Sequence, residues 1–276
     1  MLKFGPAGVP IGCDSSLDAP QFLKKIGLDC MELEFVRGVN MSDATAIEVG
    51  KRARENGISL SCHAPYWINL AAKERHKLER SIEFITDSAH KLSLAGGGVV
   101  VFHPAFYLSR QSEEVFAIVK TQLERINSWL KAEKIANIAL GPELTGKKSA
   151  FGDLPEIIRL AGEVPNVVPV VDFAHYHARH GGAIKGEKDY AAIFDAMEKE
   201  LGKKAVSSFH SHFSEIRYSK AGELSHMPLF SNNEPPIRPL LKLCVENGYS
   251  GAIISETPYT SEDSLRMKEI YQKMAR

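Results

Sequence analysis

Six side chains that bind protons or metals stand at matched places in the chain. His63, His103, Glu143, Asp172, His212 and Glu256 each close, or lie beside the end of, a short apolar or β-branched run. A lone histidine at a strand end is ordinarily a solvated or hydrogen-bonded side chain. Six imidazoles and carboxylates at equivalent positions around one ring need another explanation. Carboxylates crowded together repel and resist ionisation unless cations compensate them. Imidazole mixed with carboxylate is a donor set that suits zinc, manganese or iron. Glu143, Asp172, His212 and Glu256 would satisfy one cation, which leaves His63, His103, His175 and His226 over. Clustered ions sharing a bridging carboxylate are therefore expected, a pattern that favours phosphoryl chemistry, with Glu143 as the candidate catalytic group. His210 precedes His212 by two residues, so it shares its face of the strand one layer deeper and reads as a supporting interior group. His177 and His180 read as loop residues contacting solvent or substrate. Of ten histidines, only His76 and His90 fall within a helical pattern at this level.

These groups need a scaffold that delivers strand ends to one point. Candidate strands are 2–8, 30–35, 59–63, 99–103, 137–143, 167–172, 207–213 and 252–256. Segments with helical period alternate with them. Residues 42–56 open on an N-cap serine, Ser42, and close at Asn56-Gly57, a left-handed C-cap signal. Residues 73–94 place Leu78, Ile82, Ile85, Ala89 and Leu92 on one stripe; residues 112–133 do so with Val115, Val119, Leu123, Ile126 and Leu130. Shorter helices are expected near 21–26, 153–161, 189–201, 236–247 and 261–274. Eight β/α units without a composition break predict a closed (β/α)8 TIM barrel, an α/β fold, formed as a single domain by residues 1–276. The rival, a doubly wound open sheet, would show a glycine-rich phosphate turn after its first strand, and Gly5-Pro6-Ala7-Gly8 is a poor match. In barrels of this kind catalytic groups gather at the C-terminal ends of the strands, where these six residues fall.

Composition sets outer bounds. The 276 residues carry 34 Lys plus Arg against 34 Asp plus Glu, which excludes a polycationic partner-binding chain but allows a locally basic face. Cys13, Cys30, Cys62 and Cys244 form no C-x-x-C pair and read as free thiols of a reducing compartment. No apolar run approaches the roughly 18 residues of a membrane span, and Met1-Leu2-Lys3-Phe4-Gly5 is no signal peptide. A cytoplasmic monomer without membrane contact is expected. The loops after the strands interleave aromatics and cations: Arg37, Tyr66-Trp67, Phe106-Tyr107, Arg110, Lys147-Lys148, Tyr176, Arg179 and Lys185, Arg217-Tyr218 and Lys220. Such loops suit a nucleic-acid backbone with bases to stack or wedge.

Five motifs together resemble the endonuclease IV family, zinc-dependent apurinic/apyrimidinic endonucleases with a TIM barrel. They are His63-Ala64-Pro65-Tyr66-Trp67-Ile68-Asn69-Leu70, Phe102-His103-Pro104, Glu143-Leu144-Thr145-Gly146, Asp172-Phe173-Ala174-His175 and Glu256-Thr257-Pro258, in family order over about 200 residues. The resemblance implies two or three zinc ions, with manganese as the alternative metal. His63, His103 and Glu143 would hold one; Glu143 would bridge to a second shared with Asp172, His212 and Glu256; His175 and His226 would bind a third. Tyr66 looks like the residue that family inserts into the duplex, with Arg37 as a further DNA contact. The chain departs from the pattern where the family has Asp-x-His: Leu224 stands in the aspartate's place before His226, so the third ion depends on Glu223. Glu215 likewise stands where an aspartate is expected, and Met227-Pro228-Leu229-Phe230 lacks the usual glycine-rich continuation. The chain is thus a divergent member by this reading.

The activity expected from the resemblance is hydrolysis of the DNA phosphodiester 5′ to abasic sites, with damaged double-stranded DNA as partner. A single-metal sugar isomerase or epimerase of the xylose-isomerase-like superfamily would need only Glu143, Asp172, His212 and Glu256. A third reading is a non-catalytic sugar-phosphate or nucleic-acid binding module that keeps metal for stability. His63, His103, His175 and His226 separate the nuclease from the sugar enzyme.

Overall fold

The computed structural model describes residues 1–275. Eight parallel strands form the barrel: β1 (Leu2–Pro6), β2 (Cys30–Glu34), β3 (Ser59–His63), β4 (Val99–Phe102), β5 (Ala139–Pro142), β6 (Val170–Asp172), β7 (Phe209–Phe213) and β8 (Gly251–Ser255). Ladders join β2-β3-β4-β5 into one curved sheet and β6-β7-β8-β1 into another. Parallel bridges close the two seams. Ala7 meets Glu32 between β1 and β2, and Leu140 and Glu143 meet Val167 and Val170 between β5 and β6. The expected (β/α)8 barrel is therefore the observed one, with strands shorter than expected at several ends because the seams pair through single bridges.

Val100, Leu140, Val170 and Ile253 are fully buried in these strands. The stripes expected on the two long helices, Arg75–Ala95 and Ser112–Ala132, face inward: Ile85, Ala89, Leu92, Val119, Leu123 and Ile126 are inaccessible to solvent. Each such Ile, Leu or Val side chain contributes roughly 1.5–3 kcal/mol of burial free energy. The helix Asp43–Asn56 starts where Ser42 accepts a hydrogen bond from the Thr45 amide (3.1 Å) and ends at Gly57 with φ 69°.

Four features lie outside the regular repeat and were not expected. A small antiparallel pair, Ala105–Phe106 with Ala150–Phe151, ties the loop after β4 to the loop after β5. Glu215–Ser219 and Gly222–Met227 form a hairpin after β7. Two short helices, Phe173–Arg179 and Lys204–Ser207, flank β6 and precede β7. The first corrects the reading of His177 as a loop residue: both His175 and His177 are helical. His177 is fully buried, and its Nδ1 accepts from the Ile184 amide (3.2 Å).

The barrel closes tightly at Gly5. A Cβ there would lie 1.9 Å from the Cys30 carbonyl oxygen, so β1 and β2 approach only because this residue has no side chain. Gly5→Ala is expected to lower unfolding free energy by roughly 1–3 kcal/mol, the usual range for overpacking, or more. Denaturant titration checks this, and wild-type stability would contradict the closeness of the seam.

Candidate metal centre

The strand ends bring the expected residues to one mouth of the barrel. Glu143, directly after β5, is fully buried at the centre, and its two oxygens face different partners. Oε2 lies 2.8 Å from His103 Nε2 and 3.1 Å from His63 Nε2. Oε1 lies 2.9 Å from His212 Nδ1 and 3.3 Å from His175 Nδ1. His212 Nδ1 is also 3.2 Å from Glu256 Oε1. Three overlapping groups at this mouth could hold a divalent ion: His63, His103 and Glu143; Glu143, Asp172, His212 and Glu256; Asp172, His175, His226 and Glu256. A fourth among the described residues, Glu32, His210 and His212, lies deeper. All eight expected donors thus converge, and neighbouring groups share Glu143, Asp172 and Glu256.

Local structure presents the ring nitrogens. His63 Nδ1 donates to its neighbour's carbonyl, Ala64 O (2.7 Å), which turns Nε2 toward Glu143. His175 Nδ1 similarly faces Leu144 O (3.0 Å), and its Nε2 lies 3.0 Å from Glu223 Oε2. Asp172 caps the Phe173–Arg179 helix by accepting the His175 amide through Oδ1 (2.7 Å). That leaves Asp172 Oδ2 buried without a hydrogen-bond partner; Glu223 Oε2, although 3.0 Å from His175 Nε2, is not aligned for a full hydrogen bond either. Buried oxygens without donors, aimed into a ring of imidazoles, fit divalent cations.

The protonation pattern points the same way. Burial works against the charged form of Glu143, yet His103 and His212 hold its carboxyl well below the usual carboxylate range. Burial also opposes the His63 cation, but the hydrogen bond and charge of Glu143 raise its pKa to about 10. The pKa of Glu256 moves up to about 7 because of burial, against the pull of His212. The same buried carboxylates raise the pKa of His175 and His212 and so favour their charged forms.

The hairpin after β7 brings in Glu223, the residue on which the third group depends. Its register shifts between Arg217 and Tyr218: Arg217 pairs with Ser225 and Tyr218 with Glu223, so Leu224 bulges out. Leu224 is exposed, while Glu223 and His226, three residues apart, line the same cleft of about 470 Å3. An extra residue in one strand restores a shared face to positions that simple alternation would separate. The hairpin docks closely because Gly146 has no Cβ; one there would lie 2.0 Å from Glu223 Oε2. Glu215 serves the hairpin instead, accepting from the amides of Phe230, Asn232 and Asn233 (2.6–2.8 Å).

Other expected residues lie outside the ring. Tyr66 and Trp67 are exposed at its lip, and the Tyr66 ring centre is 5.8 Å from that of His63. Arg37 is exposed beside a separate cleft that includes Glu34 and Ser42. His180 pairs with Asp153 (2.9 Å) away from the ring, and His210 lies beneath it, 2.9 Å from Glu32. Glu32 and Glu34 were missed. Burial raises the Glu34 pKa to about 7, and one of its oxygens also lacks a partner. The signal was present in Met31-Glu32-Leu33-Glu34, where two acids alternate within an otherwise apolar strand.

The family model described as xylose isomerase-like TIM barrel matches residues 20–275. The chain belongs to this family. An uncharacterized protein of Methanocaldococcus jannaschii is 38% identical over 276 residues, 99% of this chain and 98% of that one. A probable endonuclease 4 of Aster yellows witches'-broom phytoplasma is 27% identical over 81% of this chain and 77% of its own. Endonuclease IV from Thermus thermophilus superposes with a TM-score of 0.74 at 19% identity, covering 99% and 98% of the two chains. A D-tagatose 3-epimerase-like protein does so with a TM-score of 0.73 at 18% identity, with the same coverages. This xylose isomerase-like barrel thus has sequence similarity to a probable endonuclease 4 and shares its fold with endonuclease IV and with an epimerase-like protein. No helix among its described residues is long and apolar enough to cross a membrane.

Two outcomes follow from the geometry. Divalent metal must displace the proton on His63, whose pKa of about 10 keeps it charged at pH 7, so zinc addition in weak buffer should release protons. Apparent affinity should rise with pH; equal affinity at pH 6 and pH 8 would contradict the charged ring. Gly146→Ala should push Glu223 from His175 and lower metal content at the hairpin side, with folding retained. Unchanged stoichiometry and affinity would remove Glu223 from the site.

Proposed function

We propose that the protein is a zinc-dependent endonuclease that hydrolyses the DNA phosphodiester on the 5′ side of abasic sites. The observation that carries this reading is the division of Glu143 between two histidine pairs, His63 with His103 and His175 with His212. A one-ion sugar enzyme has no use for the first pair, whereas a phosphodiesterase needs adjoining cation sites on both sides of the reacting phosphorus. The 27% likeness to a probable endonuclease 4 supports the same choice.

The residues suit that reaction in type and place. Divalent ions bound there supply Lewis acidity toward a phosphoryl oxygen and lower the pKa of a coordinated water. His63, His103 and Glu143 would hold one ion, and Glu143, Asp172, His212 and Glu256 a second. His175 and His226, with Glu223, form the place for a third. Glu143 belongs to both groups and would be shared between the first two ions. His103 and His226, each with 28% side-chain exposure, open the ring to a substrate from the mouth alone. Tyr66, Trp67 and Phe106 line this cleft and the adjoining groove of about 940 Å3, giving a stacking surface where the DNA would open. Lys147 and Lys148 are exposed at the opposite lip and can receive backbone phosphates. Arg37, on the loop after β2, would reach DNA flanking the lesion.

Incision of a duplex carrying one abasic site, measured together with metal content, tests the proposal. Cleavage 5′ to the lesion with more than one metal per chain is expected. One metal per chain, no cleavage and epimerisation of a ketose would establish the sugar enzyme instead. Glu143→Gln should fold normally and lose several orders of magnitude in rate. Retention within about tenfold, a barrier change of only ~1.4 kcal/mol, would contradict its bridging role. Tyr66→Ala should weaken binding to the abasic duplex by about 1–3 kcal/mol with metal content unchanged. Equal affinity would return Tyr66 to a structural role.

A further inference from the structure

Beneath the ring lies a buried polar group that the proposed reaction does not use. Glu32, on β2, is inaccessible to solvent. Its Oε2 accepts from Ser61 Oγ (2.7 Å) on the neighbouring strand β3 and faces His210 Nε2 (2.9 Å) on β7. Its Oε1 lies 2.8 Å from His212 Nε2, although the two are not aligned for a full hydrogen bond. Glu32 thus reaches across the barrel interior from one four-stranded sheet to the other.

The other buried donor histidines share a pattern that explains this contact. One ring nitrogen of His63 and of His175 is tied to a backbone carbonyl, which turns the other toward a carboxylate at the mouth. His212 Nδ1 faces Glu143 and Glu256 in the same way, but its far nitrogen faces a carboxylate. We propose that Glu32 is the positioning residue of the inner metal site: its carboxylate, 2.8 Å from His212 Nε2, favours the proton on that nitrogen, leaves Nδ1 free for the ion, and makes Nδ1 a stronger donor. Carboxylate–imidazole–metal chains act in this manner, and loss of the outer partner typically lowers metal affinity about 10–100-fold. Ser61 and His210 keep the carboxylate in place by occupying its second oxygen.

The inference rests on the reading that Glu143, Asp172, His212 and Glu256 bind a divalent ion. Full-length wild type, Glu32→Gln, Glu32→Ala and Ser61→Ala are titrated with zinc, and histidine nitrogen resonances are recorded with and without the metal. The wild type should show zinc at His212 Nδ1 with a protonated Nε2. Glu32→Ala should bind the inner zinc about 10–100-fold more weakly and lose that tautomer preference. Glu32→Gln, which retains an acceptor oxygen, should recover part of both; Ser61→Ala should show a smaller loss and serves as the readout where Glu32→Ala does not fold. A simple structural brace would lower melting temperature and leave affinity and tautomer alone, which would overturn the proposal. So would a wild-type zinc ion that is additional to those at the mouth and vanishes with Glu32, because Glu32 would then be a ligand. Absence of zinc binding by folded wild type would overturn the underlying metal reading itself. Normal wild-type binding with unchanged Glu32 variants would overturn the positioning role alone.

Discussion

The burial of Glu143 governs the rest of the structure. A carboxylate at the centre of a packed barrel mouth loses its water and is tolerated only if positive charge surrounds it. Four histidines from four different segments surround it, each within 3.3 Å of one of its oxygens, and the carboxylates about His63, His175 and His212 raise the pKa of those three. Parallel strands in register bring such groups together because Asp172 pairs directly with His212, while Glu34 pairs with His63. The barrel is thus a device for holding like-charged acids closer than they would stay alone. Divalent cations relieve the same repulsion with fewer, stronger charges.

The fold supports this arrangement at a distance. Gly5 lets β1 meet β2, so the ring closes and opposite strands come within reach of one another. Gly146 and the bulge at Leu224 bring the hairpin after β7 against the mouth, which places an acid and an imidazole where strand alternation alone would not. The exposed aromatics sit one step further out, on loops the barrel does not need for stability. The same barrel fold is found in endonuclease IV from Thermus thermophilus and in a D-tagatose 3-epimerase-like protein.

Much of this was legible in the sequence. The alternation of apolar runs with helical stripes specified the barrel because both signals come from burial, and burial is what the ring of strands and helices achieves. His63, His103, Glu143, Asp172, His212 and Glu256 were legible because each punctuates a strand. Glu32 and Glu34 were not recognised, since they sit inside a strand whose pattern reads as buried β structure; only the tertiary fold shows which interior they enter. The helix holding His175 and His177 was hidden behind the β6 motif, too short for a periodic signal. The bulge at Leu224 is a matter of cross-strand pairing, which one strand's sequence does not encode.

The central claim is that one carboxylate, Glu143, serves two cation sites. Metal stoichiometry of the His63→Ala/His103→Ala double variant, set against the wild type, tests it most directly. The account predicts a folded protein that loses about one metal equivalent and keeps the ion held by Asp172, His212 and Glu256, because hairpin, helices and packed interior are untouched. An unchanged metal count in the folded double variant would contradict it and leave a one-ion site of the epimerase type.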